Sequence, residues 1–316
     1  MTIRIITEPT VAVIGRMSFD RDALQPYLDS IGAGGWQTDA ESGGDALAET
    51  AGRICYRSFA NPRPGGNAAY LERIKSEGHG SVLEHASWML LLTGISRNLT
   101  HEFVRHRAGF AYSMRSQRFV DESSADFVVP PEYAGEVSAA RDYIARVVTK
   151  RPGATALDIS SDMRNMNRPT PEEEAGLTWL AAVEHSRRSY AALSAYGIRK
   201  RLDAAWVASG GVPRQESGGR QAYLDRMPAE EKTAIRKKAR EAARSVLPGC
   251  TATELVVTGN ARAWRHWLEM RGSAHAEAEI RRLALAVLPV LQREAPNIFG
   301  DYSVVDGSIV TNFRKV

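Results

Sequence analysis

Residues 105 to 119 read RHRAGFAYSMRSQRF, which sets four arginines and a histidine among aromatic and hydroxyl side chains. Guanidinium forks interleaved with hydroxyls and loop amides are the donor set that phosphate oxygens ask for. Ser96 can cap a helix running from Arg97 to about Arg107, with the rest of the quoted stretch as a loop. On such a helix Arg105, His106 and Arg107 would fan over roughly 200° and suit wrapping around an object or reaching into two sites. The simpler alternative is a solvated basic helix end that complements the helix dipole. Ser113, Ser116 and Gln117, interleaved with aromatics, weigh against it.

A second group follows Gly259. Asn260 is placed to cap a helix ARAWRHWLEMR that stops before Gly272. Asn260, Trp264, Trp267 and Arg271 share one face of it, at i, i+4, i+7 and i+11. The two tryptophans read as core. Arg271 beside them is either a snorkelling surface residue or a buried-site cation, and the spacing leaves both open.

Other candidates are weaker. Cys55 and Cys250 form no disulfide framework and no zinc-ligand spacing, and read as small core residues. His101-Glu102 followed by His106 puts the histidines five apart, off a common face, which argues against zinc. IGAGGWQ is not a dinucleotide fingerprint, and no phosphate-binding GxxxxGK[ST] occurs. His185 and His275 read as structural or surface residues.

The elements that must position these groups follow from the pattern. Residues 29–48 and 61–67 read as loops. The apolar run in residues 84–96 reads as a buried strand, although Ser81 and Glu84 have capping-box spacing that would start a helix. A long helical region is expected over 134–204, broken at 151–154 and 167–171, then a loop at 211–219. Another helix starts near Pro228 and ends by Pro248 and Gly249, and one more spans about Ala274 to Glu294 before Pro296. Without a repeat or an obvious linker, residues 1–316 are expected to form a single domain.

Composition bounds the class. The 316 residues are 43% hydrophobic and 25% charged, enough for a sizeable core. The 41 basic residues are offset by 37 acidic ones, so a net charge of +4 argues only weakly for nucleic acid. MTIRIITEPTVAVIG lacks the pattern of a signal peptide, and Trp88 to Leu92 is too short to span a bilayer. A cytoplasmic location is expected, with no membrane and no nucleic-acid partner.

Five ordered blocks carry a resemblance: GHGSVLEH (78–85), SRNLTHEFVRHR (96–107), SQRF (116–119), ARSVLP (243–248) and GNARAWRHWLEMRGSAHAEAEIRRLA (259–284). Together they resemble the flavin-dependent thymidylate synthases (ThyX), over most of the chain. The resemblance implies an α+β fold, with helices packed around a central, mainly antiparallel sheet, and a homotetramer with active sites between subunits. It implies FAD as cofactor, a uridine nucleotide substrate, methylenetetrahydrofolate as one-carbon donor and NADPH as reductant, with no cysteine nucleophile. By position, it assigns His79 and Ser81 to the flavin's approach, and Arg105, His106 and Arg107 to FAD binding. Asn260, Arg262 and His266 fall in the second FAD-contacting segment. Ser116, Gln117 and Arg118 match a nucleotide-gripping loop supplied by a neighbouring subunit, Arg244 another nucleotide-binding arginine, and Arg271 the arginine set against the pyrimidine to favour ionisation at N3. Arg105 is also placed at the nucleotide.

The departures cluster at the nucleotide site. Eight residues, not seven, separate Arg107 from Ser116, which brings in Arg115. Glu102 stands where the family usually has Gln, Met114 where it has Gln or Glu, and Phe119 where it has Tyr. There is extra length at about 29–48 and between Gly197 and Arg244, within 198–243. Retuning for UMP is the expectation, with Glu102 accepting a bond from the added 2′-hydroxyl and some activity on dUMP retained, as in ThyX-like UMP C5-methylases of nucleoside-antibiotic pathways. An ordinary dUMP-specific thymidylate synthase is the alternative; a non-catalytic RNA- or nucleotide-binding protein is a distant one.

Overall fold

The computed structural model describes residues 3–61, 64–148, 153–161, 168–212 and 218–316. In chain order the first elements are β1 (Ile5–Ile6), β2 (Thr10–Arg16), α1 (Arg21–Ser30), α2 (Gly43–Tyr56), α3 (Gly66–Ser76), β3 (Ser87–Ser96), α4 (Arg97–Phe103), β4 (Phe110–Met114) and β5 (Phe127–Val128). There follow α5 (Ala134–Val148), α6 (Ala156–Ser161), α7 (Pro171–Ala208), α8 (Gly218–Arg226), α9 (Ala229–Ala243), β6 (Ala252–Asn260), α10 (Ala261–Arg271), α11 (Ala278–Glu294), α12 (Pro296–Phe299), β7 (Ser303–Val305) and β8 (Ser308–Val310). These residues group into two compact units: Met1–Thr7 with Arg115–Ala252, and Glu8–Met114 with Thr253–Val316.

The second unit is built on a four-stranded sheet in the order β2-β3-β6-β4. β2 and β3 pair antiparallel, as do β4 and β6, the latter in the register Phe110↔Gly259 to Met114↔Leu255. Strand alternation decides the layers. Trp88, Leu90 and Leu92 of β3, with Leu255 and Val257 of β6, face the core beside Trp264 and Trp267 of α10 and Leu283, Val287 and Leu291 of α11. Ile14 and Met89 lie on the opposite, open face and are 51% and 38% exposed. Both signals around residue 84 are used in succession: a 3-10 turn covers Gly80–His85 and the strand begins at Ser87. Ser81 does not cap that turn.

Two buried polar clusters fix the helices to this sheet. Ser96 caps α4 by accepting from Leu99 N at 3.1 Å, and its own hydroxyl and amide donate to Glu279 at 2.7 and 2.8 Å. Burial pushes the Glu279 carboxyl above its usual range, only partly offset by those bonds. Arg265, fully buried, grips Asp301 with two bonds at 2.7 and 2.9 Å, and Lys75 reaches the same carboxylate at 2.8 Å. A buried charge needs such partners to be tolerated. The RAWRHW run therefore splits, with Arg265 pointing inward and Arg262 and His266 exposed.

The first unit is mainly helical. The break before α7 is completed by a capping box: Thr170 and Glu173 each bond the other's backbone amide. β1 pairs in parallel with β5, and Val137, Ala140 and Tyr143 of α5 pack with Leu177 and Leu180 of α7. Among the described residues no helix is long and apolar enough to cross a membrane.

Several boundaries differ from the sequence-based expectations. The 29–48 loop is confined to residues 31–42, because Ser42 caps α2 and Asp45, buried, accepts the amides of Asn297 and Ile298 at 3.3 and 3.0 Å. The helix from Arg97 stops at Phe103, not Arg107. His106 N bonds Phe103 O and Arg105 N bonds Glu102 O, both three residues back, so the chain tightens into turns. The stretch 105–119 is not all loop: Phe110–Met114 forms an edge strand with Phe110 and Tyr112 half-buried and Ala111 and Ser113 exposed. The helix expected from Ala274 starts at Ala278, where the Glu277 side chain caps Ile280 N at 3.1 Å. Gly218 and Gly219 belong to α8 rather than to a loop; residues 213–217 of that expected loop, and 151–152 and 167 of the expected breaks, lie outside the described residues. The helix begun near Pro228 ends at Ala243 and passes into a 3-10 turn over Arg244–Val246. Cys55 is exposed, not core, and Cys250 is half-buried.

Gly259 marks the tightest approach in the sheet: a Cβ there would lie 2.4 Å from the Phe110 ring and 2.7 Å from Trp264 Nε1. Gly259→Ala must push β4 outward, and should destabilise the unit by about 1–3 kcal/mol, the usual cost of overpacking. Denaturant unfolding checks this; an unchanged midpoint would mean that Phe110 has room to move.

Candidate active site

α10 hangs from Asn260, whose Oδ1 accepts from Ala263 N at 2.8 Å while its own amide donates to Gly109 O at 3.1 Å. One turn of chain thus ties the start of α10 to the turn before β4. Gly109 has φ +74°, and a Cβ there would meet Ala263 Cβ and Asn260 Nδ2 at 2.8 Å each, so only glycine fits. At the far end of α10, Arg271 projects back toward the turn after α4. Its Nε donates to His106 Nε2 at 2.9 Å and its Nη1 to Glu102 Oε2 at 2.8 Å.

The aromatic packing beneath explains why these groups meet. Phe103, the last residue of α4, stacks on Trp267 at 4.7 Å and meets Phe110, Tyr112 and Trp264 edge-on at 5.8 to 6.1 Å. Tyr112 donates its hydroxyl to the carbonyls of Phe103 and His106, which holds the RHR turn against β4. Burial pushes the Tyr112 hydroxyl up to about 12, so it stays a donor.

The electrostatics are equally specific. Burial, then Arg271 and His266, push His106 down to about 4. The imidazole is therefore neutral at physiological pH and its Nε2 is an acceptor for Arg271. The guanidinium keeps its charge, one carboxylate partner and one neutral partner, with its side chain 22% exposed.

An open cleft of about 250 Å³ lies alongside, lined by Glu84, Ala108, Gly109, Asn260, Arg262, Ala263 and His266. The His106 and His266 rings are 6.1 Å apart, and Arg262 pairs with Glu84 at 2.7 Å. The turn carrying His79 and Ser81 abuts the same wall: Gly80 approaches Arg262 so closely that a Cβ would sit 3.0 Å from Nε. His79 itself faces a separate cavity of about 450 Å³ between α2 and α3, and bonds the Tyr56 hydroxyl at 3.1 Å. Arg105 and Arg107 are exposed.

The other predicted residues fall mostly in the first unit, save Met114, which ends β4 and is 39% exposed. Arg115 donates to Ala252 O and lies 3.4 Å from Glu122. Ser116 Oγ accepts from Arg118 N at 3.3 Å, Gln117 is buried, and Arg118 lies 3.4 Å from Glu241. Arg244 is exposed at the end of α9. Sequence reasoning missed Tyr112 and Glu84; the alternation in FAYSM was the available signal for Tyr112.

The family model "Thymidylate synthase complementing protein" matches residues 38–297. A flavin-dependent thymidylate synthase of Mycobacterium sp. (strain KMS) is 43% identical over 280 residues, 87% of each chain. The chain belongs to the flavin-dependent thymidylate synthase family. The Mycobacterium leprae (strain Br4923) member is 41% identical over 271 residues, covering 85% of this chain and 84% of its own. A solved structure of the UMP/dUMP methylase PolB from Streptomyces cacaoi, bound with 5-Br dUMP, superposes with TM-score 0.53 at 20% identity, over 94% of this chain and 96% of PolB. At that identity the likeness is one of fold.

The His106 assignment predicts a titration. In the folded protein its ring proton should titrate near 4 by NMR, and Arg271→Ala should raise that midpoint by removing a positive neighbour. Because an unfolded histidine titrates near 6.5, the neutral ring contributes stability above about pH 6.5, which is lost as pH falls toward 4. A midpoint near 6.5 in the native protein would refute the buried neutral imidazole.

Proposed function

We propose that this protein methylates C5 of a uridine 5′-monophosphate in a flavin-dependent reaction, with methylenetetrahydrofolate as carbon donor and NADPH as reductant. The observation that carries the reading is Arg271, a charged guanidinium held by Glu102 and a neutral His106, with a cleft alongside that Arg262 lines. A uracil ring must become electron-rich at C5 before it attacks a one-carbon electrophile. A fixed guanidinium supports this by stabilising negative charge on N3 and the ring oxygens. Because His106 is neutral, it orients Arg271 without adding a second charge.

The residues present suit FAD. Arg105, Arg107 and Arg262 offer guanidinium forks for a pyrophosphate, and Ala108, Gly109 and Ala263 leave one wall of the cleft free of bulk. Asn260 and His266 would complete that wall, with His79 and Ser81 at the flavin's approach. When bound, the flavin supplies the redox chemistry that carries reducing equivalents from NADPH to the new methyl group. Ser116, Gln117, Arg118 and Arg244 are assigned to the nucleotide. Met114 and Arg115 are placed with them at the substrate, within a homotetramer whose active sites lie at subunit boundaries. The open apolar sheet face at Ile14 and Met89 supports subunit association.

Between the two nucleotides, the geometry gives Glu102 a task that does not involve a 2′-hydroxyl: it pairs with Arg271. The relatives at 43% and 41% identity bear the name thymidylate synthase, and dUMP is the substrate we favour, with weaker activity on UMP.

Comparing kcat/KM for the two nucleotides tests the choice: dUMP should exceed UMP by tenfold or so, and a preference for UMP would restore the retuned pocket. Arg271→Ala should purify with flavin yet methylate at least about a hundredfold more slowly, the usual loss of a charge-stabilising group. Arg107→Ala should instead lose flavin on purification. Near-normal turnover of the first, or full flavin in the second, would remove that residue from its role.

A further inference from the structure

Helix α9 does more than lead into Arg244; it holds the loop that carries Ser116 to Arg118. Arg240 Nη1 donates to Phe119 O at 2.6 Å and Nη2 to Asp121 Oδ2 at 2.9 Å. Its side chain is 15% exposed, and its Nε has no hydrogen-bond partner among the described residues. Desolvating a guanidinium is costly, so both of its end nitrogens being spent on one loop is an informative arrangement. One turn earlier on the helix, Lys237 sits 4.5 Å over the Phe119 ring. The next residue after Arg240, Glu241, lies 3.4 Å from Arg118.

Phe119 and Val120 are exposed, and among the described residues their amides bond within the loop, to Ser116 O at 3.2 and 3.0 Å. Beyond Asp121 the chain is anchored again, where Glu122 N donates to the Tyr190 hydroxyl of α7 at 3.3 Å. Burial pushes the Asp121 carboxyl up, but Ser123 and then Arg240 more than offset this and hold it below the usual range. Asp121 is therefore an anion for Arg240 at neutral pH.

We infer that Arg240 is a positioning residue for nucleotide recognition, and that helix α9 serves as a clamp on the 116–119 loop. Arg240 ties down the carbonyl that follows Arg118, while Glu241 aims the Arg118 guanidinium and must share it with an incoming phosphate. The inference rests on the assignment of this loop to the nucleotide, and displacement of such a loop by about 1 Å is enough to weaken recognition strongly.

The test uses flavin-loaded full-length protein and three variants: Arg240→Ala, Arg240→Lys, and Arg236→Ala as a charge-matched change at an exposed position of the same helix. Titration calorimetry measures dUMP binding, and hydrogen exchange follows the Phe119 and Val120 amides. Arg240→Ala should bind dUMP about tenfold more weakly, as expected for losing charge-assisted hydrogen bonds, with KM raised more than kcat is lowered. The two amides should exchange faster, the flavin spectrum should be unchanged, Arg240→Lys should recover part of the affinity, and Arg236→Ala should match the wild type. Equal dUMP affinity in Arg240→Ala, or equal loss in Arg236→Ala, overturns the clamp. A wild type that binds neither dUMP nor UMP overturns the nucleotide assignment instead. The exchange rates would then still decide the loop's attachment, unchanged protection in Arg240→Ala counting against it.

Discussion

The stack of Phe103 on Trp267 is the contact on which the rest of the site depends. It joins the end of α4 to the middle of α10, with Phe110, Tyr112 and Trp264 closing around it. Aromatic pairs of this kind contribute beyond their buried area and are demanding in geometry. They set the distance between two segments that are some 165 residues apart in the chain, as the His106–Arg271 bond records. Every polar contact of the site sits on that frame. Tyr112 can reach the carbonyls of Phe103 and His106 only because Phe110 and Tyr112 point inward from β4.

The charges follow a similar logic at two depths. Deep in the unit, Arg265 bonds Asp301 and the backbone carbonyls of Ile298 and Phe313, which is a structural use of charge. Arg271, six residues along the same helix, keeps partial exposure and partners that leave it available. One is a carboxylate and one a neutral imidazole, so the guanidinium is held without being neutralised twice. Keeping His106 uncharged is what allows a cation beside it, and burial is the largest cause of that neutrality.

Much of this was legible in the sequence. The cap at Asn260, the extent of α10 to Arg271, the core role of both tryptophans and the strand ending at Ser96 follow from local pattern, because capping and periodicity act over a few residues. The end of α4 was not legible, since it depends on Phe103 finding Trp267 and on Tyr112 taking a carbonyl that a longer helix would use. β4 was hidden by its arginine-rich flanks. The pairing of Glu102 with Arg271 was not legible either, because nothing in the chain order says that the two residues meet. The attachment of the 116–119 loop to α9 was out of reach for the same reason.

The central claim is that Arg271 favours negative charge on the uracil ring. It is tested most directly by comparing the affinities of 5-fluoro-dUMP, whose N3 is more acidic, and dUMP across neutral to mildly alkaline pH. The wild type should prefer the fluorinated nucleotide, and that preference should collapse in Arg271→Ala. The same ratio in both proteins would contradict the account.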